Sequence, residues 1–173
     1  SSVKLMTNLG ILNGSCSDGQ TVFSPDGSMT RGSIAKIIAY MRLGRNISSI
    51  KGYYKGSSCK FADIGSSWAR DYIAWCCDNG IIDGDGSGYY HPSAPVTYAQ
   101  GLKLLLCAAG YASSRYTGKD WAKNALSDAY ALGLFSQFSG TGAVDTEKLL
   151  VPDAEGKAVS VGSSCPRECF CSL

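Results

Sequence analysis

The chain has 173 residues, 45% of them apolar, and a formal net charge of +2, so it holds enough apolar material for a packed core and is not a disordered polymer. Its sixteen Lys and Arg are scattered without a basic block, which excludes a nucleic-acid footprint. Among the longest apolar stretches is 102–110, which Lys103 interrupts and which is far too short to cross a bilayer.

The chain opens at Ser1 without a Met or a signal-like segment, which reads as a processed N-terminus. Val3, Leu5, Met6 and Leu9, ahead of Gly10, read as the tail of a helix. The block Phe23-Ser24-Pro25-Asp26-Gly27-Ser28-Met29-Thr30-Arg31-Gly32 then leads into the apolar run Ala35, Ile37, Ile38, with Thr30 as N-cap. A Ser- and Gly-bearing linker covers 45–58. Trp68-Ala69, Tyr72-Ile73 and Cys76 recur at one-face helical spacing and stop at Gly80, with Ser66 or Ser67 as cap. Tyr90-His91-Pro92-Ser93-Ala94-Pro95-Val96-Thr97 repeats the Phe23–Thr30 block in register, and Thr97-x-x-Gln100 forms a capping box. After a linker at 112–118, Asp120 caps Trp121-Ala122, Ala125-Leu126 and Ala129, which stop at Gly133. A third copy of the Thr-led block is expected at 151–159, where Pro152 would start the helix and Asp153 would take the place of Arg31 and Tyr98.

The chain therefore repeats itself. Each unit is a helix, a Gly-rich turn, a short extended piece and a second helix, and three such units must pack together to bury their apolar faces. The expected units are 1–46, 59–111 and 119–159 in one compact domain, followed by a Cys-rich tail, 160–173. Counting twelve residues back from Gly10, as from Gly80 to Trp68 and from Gly133 to Trp121, runs past Ser1. The first unit thus lacks its tryptophan, and the tail or a segment of another subunit is expected to fill that place.

Cys16, Cys59, Cys76, Cys77, Cys107, Cys165, Cys169 and Cys171 make an even set, which suits disulfides in an oxidising compartment. Adjacent Cys76 and Cys77 project in different directions and require separate partners. A zinc site at Cys165-x3-Cys169-x-Cys171 lacks the usual C-x2-C spacing, and the single histidine, His91, is remote.

No cofactor is indicated. The segment Asp83-Gly84-Asp85-Gly86-Ser87-Gly88 begins like a calcium loop, but its twelfth position is Ala94, so a solvated turn is expected. With His91 in a turn and no carboxylate pair singled out by spacing, catalysis is not expected. Trp68, Tyr72 and Trp75 are candidates for stacking on sugar rings, with core packing the expected role of Trp68 and Trp121. Trp75, Tyr53, Tyr54, Tyr89, Tyr90 and Tyr116 are expected to face a ligand or a neighbour. The sequons at Asn13 and Asn46 carry little weight.

Phe61-x-Asp63, Trp68-Ala69, the Gly80-Ile81-Ile82-Asp83-Gly84 turn, and the helix starts Thr30-Arg31-Gly32-Ser33 and Thr97-Tyr98-Ala99-Gln100 together resemble the S-layer homology family. The resemblance implies a mainly α fold, a pseudo-threefold bundle of three helix–turn–helix repeats, here stapled by disulfides. It also implies a secreted cell-surface protein tethered to cell-wall polysaccharide. The family's motif arginine meets an anionic sugar at a helix start, and only Arg31 keeps it. The glycan-binding residues so implied are Thr30, Arg31, Tyr98, Gln100 and Trp75. The alternative is a self-assembling subunit of an extracellular array or filament. The expected partners are thus wall polysaccharide or copies of the chain itself.

Overall fold

A computed structural model describes residues 15–17, 20–22, 27–136, 144–153, 155–166 and 169. The expected helix before Gly10, the Asn13 sequon and Cys171 lie outside the described residues, as does most of the Phe23–Gly27 turn.

The described residues are mainly helical, with two small antiparallel hairpins. Helix α1 spans Arg31–Leu43. Thr30 sits in extended backbone ahead of it, and its Oγ1 accepts from the Ser33 N–H at 3.2 Å. Ile34, Ala35, Ile37 and Ile38 give α1 its buried face. Helix α2, Arg70–Asp78, buries Ile73, Ala74 and Cys76 and stops at Gly80 with φ 67°. Helix α3 is Tyr98–Ala108, and helix α4 is Trp121–Ala131, ending before Gly133 with φ 74°. Both glycines take the left-handed conformation that closes a helix at least cost. α1 packs against both α2 and α3, and α3 packs against α4.

At α3 the capping box is complete. Thr97 Oγ1 accepts from the Gln100 N–H, and Gln100 Oε1 accepts from the Thr97 N–H. Thr97→Ala is expected to cost about 1 kcal/mol, read as a lower urea midpoint with an unchanged slope. Helix α4 begins at Trp121 after Asp120 as expected, whereas the start of α2 differs from expectation. Trp68 and Ala69 form a turn before α2, Ser67 Oγ accepts from the Ala69 N–H at 3.2 Å, and Asp120 makes no side-chain cap bond. With Ser67 serving a turn, the helix begins at Arg70, directly after the Trp-Ala pair.

Three distant strands of chain meet in a closed ring of backbone hydrogen bonds. The Val96 N–H donates to Met29 O at 2.8 Å, the Cys165 N–H to Val96 O at 2.8 Å, and the Met29 N–H to Cys165 O at 3.0 Å. The helix starts beside the ring are held alike. Arg31 and Gly32 N–H groups donate to the carbonyls of Ala94 and Pro92, and those of Tyr98 and Ala99 to the carbonyls of Ser163 and Val161. These bonds satisfy donors that a helix N-terminus otherwise leaves orphaned. The described part of the Cys-rich tail, 160–166, therefore folds back onto the bundle, with Cys165 fully buried.

That ring corrects the third copy. The segment expected to start a helix at Pro152 is instead a hairpin of β3, Leu150–Pro152, and β4, Ala158–Ser160. Asp153 turns this hairpin, its Oδ1 accepting from the Glu155 and Lys157 N–H groups. The residue that closes the ring with Met29 and Val96 is Cys165, and Pro166 bridges to Ser28. The other hairpin joins β1, Ser15–Ser17, to β2, Gln20–Val22.

Candidate functional site

A cleft of about 210 Å³ opens where α1, α3 and the start of α4 converge. Arg31 enters from α1; Gln100, Lys103 and Leu104 from α3; Trp121 from α4. The floor is the turn Ile81–Gly84, and buried Tyr116 closes one side.

Arg31 is positioned from two directions. Its Nε donates to Tyr90 O at 2.6 Å, and its guanidinium lies 4.5 Å from the Tyr90 ring centroid. Tyr90 is itself fully buried, with its hydroxyl donating to Arg31 O at 2.9 Å. Among the described residues no carboxylate pairs with Arg31. A flat guanidinium fixed on an aromatic face, with its terminal amino groups unclaimed by a carboxylate, is suited to a two-pronged grip on an anion. Lys103 brings a second cation, its Nζ 3.3 Å from Asp83 Oδ2. Gln100 has its Oε1 engaged by the Thr97 N–H, and its amide NH2 is the donor it offers an anionic ligand. Trp121, half-buried at the rim, supplies the flat apolar face that sugar rings pack on.

The helix start itself is not the anion site. With the first N–H groups of α1 bonded to Pro92 and Ala94 and the third to Thr30, the charge recognition falls to the Arg31 side chain. Of the five residues singled out in the sequence, Arg31 and Gln100 line the cleft. Thr30 stands behind them as the cap. Tyr98 is buried on the far side, toward Cys169 and Cys165, and Trp75 packs half-buried against the core from α2. Burial also corrects Tyr90 and Tyr116, which were expected to face outward. Trp68 is corrected in the opposite sense: it is 64% exposed, edge-on to Tyr72 at 6.5 Å, with Tyr72 stacked on Tyr40. Lys103, Trp121 and the Ile81–Gly84 floor were not foreseen together. Lys103 does occupy the position in α3 that Lys36 holds in α1, which was a usable signal.

The turn beneath the cleft is held by two carboxylates. Asp63 accepts from the Tyr90 and His91 N–H groups at 3.0 and 2.7 Å. Asp85 accepts from His91 Nε2 at 2.9 Å, from the Ser87 N–H and hydroxyl, and from the Tyr89 N–H. The Asp83–Gly88 segment, expected as a solvated turn, thus spends Asp85 on the backbone and side chains of the turn itself. The His91 contact, followed by the Ser87 and Tyr89 donors, holds the Asp85 carboxyl well below its usual range. Burial pushes Asp63 up, but the N–H groups of Tyr90 and His91 outweigh it and leave its carboxyl lowered as well. Groups depressed in the folded state stabilise it above the ordinary carboxylate pKa, and that support disappears as pH falls through their folded values. The melting temperature is therefore expected to fall below about pH 4. Asp85→Asn should lower it at neutral pH, with the gap to the native protein closing in acid. A gap that stays constant across the titration would refute the assignment.

Comparison with known proteins bears on the same stretch. Residues 60–100, which carry Phe61, Trp68, α2, the Ile81–Gly84 floor and the Thr97–Gln100 cap, match the family model of the S-layer homology domain. The chain is 38% identical over 84 residues to an uncharacterized cell wall amidase of Bacillus anthracis, covering 49% of this chain and 14% of that protein. It is 31% identical over 81 residues to an endo-1,4-beta-xylanase of Thermoanaerobacterium saccharolyticum, covering 43% of this chain and 7% of the xylanase. It is also 31% identical over 84 residues to an exoglucanase of Acetivibrio thermocellus, covering 44% of this chain and 8% of the exoglucanase. The chain thus spans only a small part of each of these relatives.

Proposed function

We propose, from the S-layer homology segment at residues 60–100 as premise, that this protein is a non-catalytic module that holds a cell-wall polysaccharide in the cleft between Arg31 and Trp121. It is secreted and works at the cell surface. The single observation that carries the binding reading is Arg31, fixed against Tyr90 and unpaired with any described carboxylate, beside Lys103 and a tryptophan face. Two cations and an aromatic plane fit a sugar bearing a carboxylate: the cations take the charge and the ring takes the apolar sugar face.

The bundle is read as three repeats around the Met29–Val96–Cys165 ring. The two matching pairs of helix-start bonds, from Arg31 and Gly32 and from Tyr98 and Ala99, support that reading. On this register the third repeat runs past residue 159 to Cys165-Pro166 and carries the β3–β4 hairpin as an insertion. In sequence Arg167 follows Pro166 as Arg31 follows Thr30; Arg167 lies outside the described residues. A second reading, a self-assembling surface subunit, is favoured by the exposure of Met41, Trp68 and Tyr130.

Co-sedimentation with purified cell walls separates the two. Binding that vanishes when the acidic polysaccharide is stripped from the wall supports the anchor. Undiminished pelleting with stripped walls, or without walls, supports assembly.

A further inference from the structure

Cys59 and Cys77 face each other across the entrance to the S-layer homology segment. Cys59 lies in the irregular stretch before α2 and is only 5% exposed. Cys77 is in the last turn of α2, half-buried and packed against the buried cluster that contains Cys59. The residues next to them are joined directly, since Ser58 Oγ donates to Asp78 Oδ1 at 2.6 Å and so holds the chain at Cys59 beside the end of α2 at Cys77. The neighbouring cysteine points elsewhere, because the Cys76 thiol donates to Ala35 O on α1 at 3.5 Å. Successive helical positions diverge by about 100°, so Cys76 and Cys77 cannot serve one partner.

We infer that Cys59 and Cys77 are joined by a disulfide in the secreted protein, tying the segment that carries Ile64 and Trp68 to the end of α2. In the structure both stand as thiols. The oxidant required is a disulfide, either of a thiol oxidoreductase or of a small molecule such as oxidised glutathione. One cysteine thiolate attacks it, releasing the first thiol and leaving a mixed disulfide. The second cysteine then displaces the other thiol. Two protein S–H bonds are lost, one S–S bond forms, and the oxidant leaves as two thiols. Burial, the Cys59 contact and the charges of Asp78 and Asp83 push the Cys77 thiol up to about 12. Little thiolate therefore exists once the fold is complete, so the exchange takes place while the chain is still opening and closing, and the product is a staple and not a redox centre. The inference needs an oxidising compartment but does not depend on glycan binding.

The test uses the full chain refolded with oxidised glutathione, alkylated and digested without reduction. The expected product is a cross-linked pair joining the Cys59 peptide to the peptide holding Cys76 and Cys77, with fragmentation between the adjacent cysteines placing the bond on Cys77. The link should persist in Cys76→Ser and be lost in Cys77→Ser. Reductant should lower the melting temperature of the native chain by roughly 5–10 °C and leave Cys77→Ser unmoved. Alkylation of Cys59 in the refolded native chain, or a bond from Cys59 to any cysteine other than Cys77, would overturn the inference. The native-chain digest decides the matter even where a variant fails to fold.

Discussion

Replacing Arg31 with alanine lowers the affinity for an acidic wall polysaccharide by roughly ten- to a hundredfold, the cost of a lost charge-assisted contact at about 1.5–3 kcal/mol. The effect is large because the cleft cannot compensate: the N–H groups at the start of α1 already serve Pro92 and Ala94, and Gln100 has only its amide to give. Lys103, shared with Asp83, keeps a weaker attraction, so Lys103→Ala should weaken binding less. Trp75→Phe, which alters a side chain outside the cleft, should leave affinity unchanged while testing for indirect effects. Because Arg31 also holds Tyr90, each variant's melting temperature is measured beside its isotherm. Wild-type affinity in a folded Arg31→Ala protein would remove the cleft from the binding mechanism.

Gly84→Ala destabilises the fold by roughly 2–4 kcal/mol, combining left-handed strain with overpacking. Gly84 has φ +69°, and a Cβ there would collide with Phe61 Cε1 and meet Tyr89 O at 2.8 Å. The phenylalanine ring can shift, but the Tyr89 carbonyl is fixed by its bond from the Asp85 N–H. Gly86 provides the internal comparison: its φ is +83° but nothing lies within 4 Å of an added Cβ. Gly86→Ala should therefore cost only the backbone part, about 1–2 kcal/mol. Chemical denaturation of both variants measures the difference, and equal losses would show that the Phe61–Tyr89 enclosure contributes nothing.

Local signals in the sequence carried most of the helical frame. Thr30, Thr97-x-x-Gln100, Gly80 and Gly133 mark helix ends through chemistry confined to a few neighbouring residues, and each acts as its spacing predicts. Errors arose where a residue's role is set by chain far away. Val151-Pro152-Asp153 imitates a helix start, yet a hairpin forms because the ring position is taken by Cys165. Trp68 and Trp121 share a repeat position but not a fate, since the neighbours that would cover Trp68 are not supplied by Tyr72 and Tyr40. Tyr90 and Tyr116 lie in loops by any local measure, but long-range packing buries them. For the cleft, Arg31 and Gln100 were legible from the motif; Lys103, Trp121 and the Ile81–Gly84 floor meet only through tertiary contact.

The ring of Met29, Val96 and Cys165 also sets an order of events during synthesis. Every bond of the ring joins residues far apart in the chain, so the ring consists wholly of long-range closures. As the ribosome releases the chain N-terminus first, the Met29 N–H and the Val96 O must wait for Cys165, and the Tyr98 and Ala99 donors for Ser163 and Val161. Until then α1 and α3 can form as local helices but cannot be locked at their starts. The helix starts of α1 and α3 are thus locked only when the segment holding Val161, Ser163 and Cys165 docks on them.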